Sequence, residues 1–136
     1  MSYNHCWENN LDMVDQVKVY IGTSGWSYPK GEGSWTGYFY PSSTINELEY
    51  YSQFFNTVEI NSSFYRPPNP GYVYNWVKHV PEGFLFTIKL WQKFTHPEMY
   101  KEATGEEAVI SQRDVDIFKQ SIDPLVKYGK LGALLA

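Results

Sequence analysis

Residues 57 to 61 alternate strictly, with Val58 and Ile60 apolar and Thr57, Glu59 and Asn61 polar. Side chains two apart on a strand share a face, so Glu59 and Asn61 stand together. Ser62, Ser63, Phe64, Tyr65 and Arg66 follow at once, and Pro67-Pro68 ends regular structure. A carboxylate and an amide on one strand face, released into an aromatic and a guanidinium, suit acid–base work or the binding of a polar ligand. The same segment also fits an edge strand with a solvated polar face. A second apolar run, FLFTIKL at 84–90, places Leu85, Thr87 and Lys89 on one face and Phe84, Phe86 and Ile88 on the other. His96, between Thr95 and Pro97, is a third group able to move a proton; a lone loop histidine is otherwise simply solvated. Glu59 and His96 have ligand chemistry for a metal, but no close-spaced cluster such as HExxH accompanies them, so no metal is assigned. The cofactor stays unknown. Gly22 and Gly25 lack both the P-loop Lys-Ser/Thr and the dinucleotide pattern.

The elements that must position these groups are legible from periodicity. VKVYIG (17–22) reads as a first strand, and the glycine- and aromatic-rich stretch 23–41 as a long functional loop. Thr44-Ile45-Asn46-Glu47 is a capping-box pattern, after which Ile45, Leu48, Tyr51 and Phe55 give one apolar helix face. Asn69-Pro70 predicts a helix start, with Val73, Trp76, Val77 and Val80 as its buried stripe and His79 at its favourable end. Residues 91 to 110 read as another long connection. A third helix is expected over about 112–122, broken at Asp123-Pro124, and LGALLA (131–136) as a fourth strand. Strand, loop and helix thus recur, which implies a parallel sheet with right-handed crossovers. In such sheets ligands bind at the carboxyl ends of the strands.

The 136 residues allow one domain with a real core. Eleven basic against fifteen acidic residues give a net charge of −4, which disfavours duplex nucleic acid, whose binding rests on phosphate neutralisation. The single cysteine, Cys6, excludes an intrachain disulfide and suits a reducing compartment. No apolar run has the ~18 residues of a membrane span. Residues 1–16 form a polar leader without the basic and apolar regions of a signal peptide, and a cytoplasmic protein is expected.

IGTSGWSY (21–28), the Trp35…Phe39-Tyr40-Pro41 spacing, FNTVEINSSFYR (55–66), the Trp76 helix, PEGFLFTIK (81–89), Thr95-His96 and KLGALL (130–135) closely resemble the YecE-like family, domain of unknown function 72. The likeness runs in register from residue 17 to 136. It implies a TIM (β/α)8 barrel, of which this chain covers roughly the first four βα units. In the family, the strand resembling LGALLA leads into four further units, so this chain resembles a truncated half-barrel, with site residues from later strands lacking.

Barrel geometry sends alternate strand residues inward. Val58, Ile60, Phe84, Phe86 and Ile88 would pack outward under helices, leaving Glu59, Asn61, Thr87 and Lys89 inside. Glu59 and Lys89 would meet on neighbouring strands, either as a structural ion pair or as an acid–base or anchoring pair at the barrel mouth. Ser24, Asn61, Tyr65 and Arg66 would add hydrogen bonds and charge, and Trp26, Tyr28, Trp35 and Phe64 flat walls. Three functions are consistent with this. One is a hydrolase- or isomerase-like enzyme acting on a polar or anionic small molecule, such as a sugar or phosphorylated metabolite, through Glu59, Lys89 and His96. The second is a non-catalytic binding subunit needing a separate C-terminal half or a homodimer. The third, disfavoured by charge, is a nucleic-acid site using Arg66, Lys30 and Lys93.

Overall fold

The computed structural model describes residues 17–28 and 33–136. The polar leader with Cys6, and Lys30, lie outside the described residues. Three strands, β1 (Thr57–Ile60), β2 (Leu85–Lys89) and β3 (Leu131–Leu135), form a parallel sheet in the order β1-β2-β3. Thr57 pairs with Leu85 and Ile60 with Ile88; β3 joins β2 from Phe86↔Leu131 to Lys89↔Leu135, with one irregularity after Phe86. A mixed α/β fold with a parallel sheet is therefore the architecture.

Residues 17–22, expected as a first strand, form no ladder. The following residues run beside β1 and touch it by one bridge, Ser24↔Glu59. The backbone bonds there are Asn56 N to Ile21 O (3.3 Å), Glu59 N to Thr23 O (3.0 Å) and Gly25 N to Glu59 O (3.0 Å). Asn56 explains the early departure: its Oδ1 accepts from Ile21 N at 2.7 Å and its Nδ2 donates to Val19 O at 2.8 Å. A side chain thus takes the ladder's place. Gly22 is needed for the approach, because a Cβ there would lie 1.9 Å from Thr57 O.

Helix α1 (Glu47–Tyr51) starts later than its capping-box pattern suggests. Asn46, not Thr44, is the cap, accepting from Glu49 N at 3.0 Å. Helix α2 (Pro70–Lys78) begins as expected, with Asn69 accepting from Gly71 N. The expected long connection after β2 is largely helical: α3 (Gln92–Thr95) and α4 (Pro97–Thr104) lie within it. Pro97 opens α4, and Gly105, at φ 76°, closes it in the left-handed conformation that glycine takes without strain. Helix α5 (Gln112–Lys127) carries a full capping box between Ser111 and Asp114 and does not break at Asp123-Pro124. Its C-terminal turn is held by burial of Ile122 and Leu125, which outweighs the backbone hydrogen bond proline removes.

The core lies on the helix side of the sheet. Val58, Ile60, Phe84, Phe86 and Ile88 are all buried there with Val73, Val77, Phe118, Ile122 and Leu125. The alternation read from the sequence thus fixes which face the helices cover. The 23–41 loop contributes more to this core than expected. Tyr40 is fully buried, and Phe39 sits edge-on to Tyr40 and Tyr50 at centroid distances of 4.9 and 5.5 Å. Burial pushes the Tyr40 hydroxyl pKa upward.

Candidate functional site at the strand ends

Opposite the core, Glu59 and Lys89 project from the carboxyl-terminal ends of β1 and β2. Lys89 Nζ stands 3.4 Å from Glu59 Oε1, and the Ser24 hydroxyl donates to the same oxygen at 3.0 Å. Two residues far apart in sequence, Ser24 and Lys89, thus converge on one carboxylate oxygen. The pair is part-exposed, with 38% of the Lys89 and 25% of the Glu59 side chain open to solvent. The Tyr28 hydroxyl donates to Ser24 O, and its ring lies 4.9 Å from Trp35, so the loop end is braced from behind.

The strand spacing is fixed by groups that sequence reasoning missed. Ser63 is fully buried in the 3-10 turn Asn61–Phe64 that follows β1. Its hydroxyl lies 2.6 Å from Ile60 O and 2.8 Å from Lys89 O, spanning the ends of both strands. The buried Tyr51 ring carries a hydroxyl that accepts from Thr23 N (2.8 Å) and donates to Thr57 O (3.1 Å), joining the 23–25 segment to β1. The only sequence signals were a serine inside the FYR-type segment and a tyrosine on an apolar helix stripe, both ordinary in appearance.

Phe64 meets the His96 ring edge-on at 5.2 Å, and His96 Nδ1 lies 2.8 Å from Thr95 Oγ1. Thr95-His96 and the FYR segment are therefore neighbours across the β1 and β2 ends. His96 itself is exposed, at the junction of α3 and α4. Asn61 falls just beyond β1, in the turn rather than on the strand, and is exposed. Tyr65 is exposed, 5.3 Å from the Phe64 ring, and Arg66 is exposed at the loop tip.

Trp26 is placed differently from the rest. It packs edge-on against Trp76 at 5.3 Å and lines a groove of about 310 Å³ between α1 and α2, with Ile45, Asn46 and His79. That groove lies on the helix side, so Trp26 is not brought to the Glu59 face. Lys93 is also committed elsewhere. Its ammonium lies 2.8 Å from Asp114 Oδ1, half-enclosed by the Trp91 and Tyr100 rings. The Lys93 hydrogen bond, reinforced by Ser111, holds the Asp114 carboxyl down at about 2, and that partner raises Lys93. Among the described residues, no group of three or more His, Cys, Asp or Glu is arranged to hold a metal, and no helix is long and apolar enough to cross a membrane.

Residues 20–136 match the family model described as "Protein of unknown function DUF72". The chain belongs to the DUF72 family. It is 32% identical over 120 residues to the UPF0759 protein YunF of Bacillus subtilis (strain 168), covering 86% of this chain and 38% of that protein. It is 33% identical over 78 residues to the UPF0759 protein YecE of Escherichia coli (strain K12), covering 57% of this chain and 25% of that one. A crystal structure of a DUF72 family protein from Enterococcus faecalis V583 superposes with a TM-score of 0.53 at 27% identity, over 64% of this chain and 33% of that chain. This DUF72 chain thus spans about a third of the length of the relatives it matches.

Proposed function

We propose that this DUF72 chain forms the first part of a (β/α)8-type barrel and binds a polar, anionic small molecule at the carboxyl ends of β1 and β2. The observation that carries this reading is the shared carboxylate: Glu59 Oε1 held by Ser24 and Lys89 on the sheet face the helices leave open. An ion pair left open to water contributes little to stability, about 1 kcal/mol or less, so stability alone does not account for this one. This one keeps a third of the lysine in water, at the strand end where parallel sheets bind ligands.

Lys89 supplies the charge that attracts a carboxylate or phosphate. Ser24 orients Glu59, which then serves as the proton acceptor for a ligand hydroxyl or water. An anion that draws Lys89 away would leave Glu59 held by Ser24 alone, with an oxygen lone pair open to a ligand hydroxyl. Phe64 offers an apolar edge, and His96 beside it a second group able to donate or accept a proton. A sugar phosphate or a hydroxy acid carries both required features, an anionic group and a hydroxyl. The nucleic-acid reading loses support, because Lys93 is occupied by Asp114.

The test is a panel of sugar phosphates and hydroxy acids titrated into the labelled 136-residue chain, with amide shifts followed by NMR. Saturable shifts should centre on residues 24, 59–64, 89 and 96 and vanish in Glu59→Gln and Lys89→Met. Saturable binding that survives both substitutions would overturn the assignment of this site.

A further inference from the structure

The groove between α1 and α2 holds groups that the strand-end site does not use. Its walls include two indoles, Trp26 and Trp76, whose planes stand 81° apart at a centroid distance of 5.3 Å. Trp76 is also stacked on the buried Phe86 ring at 6.4 Å, which fixes it against the core. Glu47, half-buried in the first turn of α1, is the groove's carboxylate. Its charge is felt beside Trp26. After burial itself, Glu47 is the main cause that pushes the Tyr40 hydroxyl upward, and that hydroxyl donates to Trp26 O. The ion pairs among the described residues use Glu59, Asp114, Glu107 and Asp123, so none of them gives Glu47 a cation. Lys78, next in sequence to the groove residue His79, is instead committed to the Tyr74 ring, 4.2 Å from its centroid. His79 Nδ1 lies 2.8 Å from Asn75 O. A carbonyl only accepts, so in the neutral ring this nitrogen carries the proton and Nε2 keeps its lone pair.

We infer that this groove is a second binding site, for a primary alkylammonium ion. An indole face and a carboxylate both attract a cation, and partial enclosure strengthens the two together. Two indoles at right angles form a corner that surrounds a compact ammonium, whereas a planar guanidinium stacks on one ring only. The three N–H donors of the ammonium match acceptors that line the groove: the Glu47 carboxylate, the remaining nitrogen of His79 and the amide oxygen of Asn75. Ile45 supplies apolar surface for the alkyl stem. An anion does not fit, because Glu47 repels it and no lysine or arginine among the described residues lines the groove. The ammonium can belong to a free amine or to a lysine side chain, and the recognised group is the same. The groove is on the helix side of the sheet, so this inference does not depend on the ligand proposed for Glu59 and Lys89.

The experiment titrates n-butylammonium chloride into the isotope-labelled 136-residue chain at constant ionic strength, with n-butanol as the uncharged control. The indole N–H signals of Trp26 and Trp76 are followed by NMR. Both should shift saturably, together with amides of residues 45–48 and 75–79, with a Kd of the order of a millimolar. Glu47→Gln should weaken binding at least tenfold, as the loss of a hydrogen bond to a charged group does. Glu49→Gln, on the same helix but outside the groove, should leave it unchanged. Trp26→Phe keeps an aromatic ring with a weaker pull on a cation and should weaken binding several-fold, which tests the site even where Glu47→Gln disturbs α1. Putrescine and Nα-acetyl-lysine amide complete the panel. Tighter binding of the first assigns the site to free amines, tighter binding of the second to lysine side chains, and equal binding to the ammonium alone. No saturable shift up to about 50 millimolar, n-butanol binding as tightly as the amine, equal losses in Glu47→Gln and Glu49→Gln, or shifts centred on Glu59 and Lys89 would each overturn the inference.

Discussion

At the residue scale, the contrast between the two ion pairs is informative. Glu59–Lys89 is open to water, where such a pair contributes about 1 kcal/mol or less. Glu59→Gln should therefore change the midpoint of urea unfolding very little, while abolishing ligand-dependent shifts. If Glu59→Gln unfolds the chain and adding Lys89→Met restores it, the pair is structural. Lys93–Asp114 is enclosed, and Asp114 also caps α5 through Ser111. Asp114→Asn keeps the Ser111 cap but removes the charge that Lys93 and Ser111 bind, and should cost roughly 1–3 kcal/mol, the scale of a hydrogen bond to a charged group. Its pH dependence has a definite sign. The Asp114 carboxyl is depressed from 3.8 to about 2, so its contribution is present above pH 4 and disappears as pH falls through about 2. Denaturant unfolding of the wild type and Asp114→Asn should differ at pH 5 and converge at pH 2. Glu59 and Lys89 were legible in the sequence because a charge within a strand's alternation has a predictable face. Lys93 was not, since its partner lies on a helix 21 residues away and nothing in the local pattern announces it.

At the element scale, local rules succeeded wherever a neighbour's packing agreed with them. Asn69-Pro70 started α2, and the alternation of β1 and β2 named the buried face correctly. They failed where tertiary contacts decided. Asn56 replaces a ladder that 17–22 has the composition to form, and Leu125 keeps α5 helical past Pro124. The helices between 92 and 104 were missed because Trp91 to Tyr100 shows no sustained apolar period, although Pro97 and Gly105 marked the ends of α4. Two predictions belong here. Ser63→Ala leaves the Ile60 and Lys89 carbonyls without their buried donor and should cost about 1–3 kcal/mol, measured by chemical unfolding. The same variant should broaden amide signals at 59–61 and 88–90, since the strand ends lose their common tie. Gly22→Ala forces a Cβ into Thr57 O and should release 19–25 from β1, seen as accelerated exchange at Glu59 N–H, which donates to Thr23 O. Normal protection of Glu59 in that variant would show the contact to be unimportant.

At the scale of the whole molecule, the sheet contains no hairpin among the described residues. Thr57 finds its partner at Leu85, and Phe86 finds its partner at Leu131. Each pairing must close a loop of tens of residues before a single ladder bond is gained, and that entropy is spent in advance. Helices α2 and α5, which can form locally, lie within those loops and shorten the effective search. The registers therefore have a kinetic meaning. Folding should be slow for a chain of this length, in the millisecond-to-second range set by non-local contacts. Helical signal should appear before sheet protection in a stopped-flow and pulse-labelling experiment. During that interval the apolar strands FLFTIKL and LGALLA are exposed together, and a chaperone would encounter the nascent chain at those two segments.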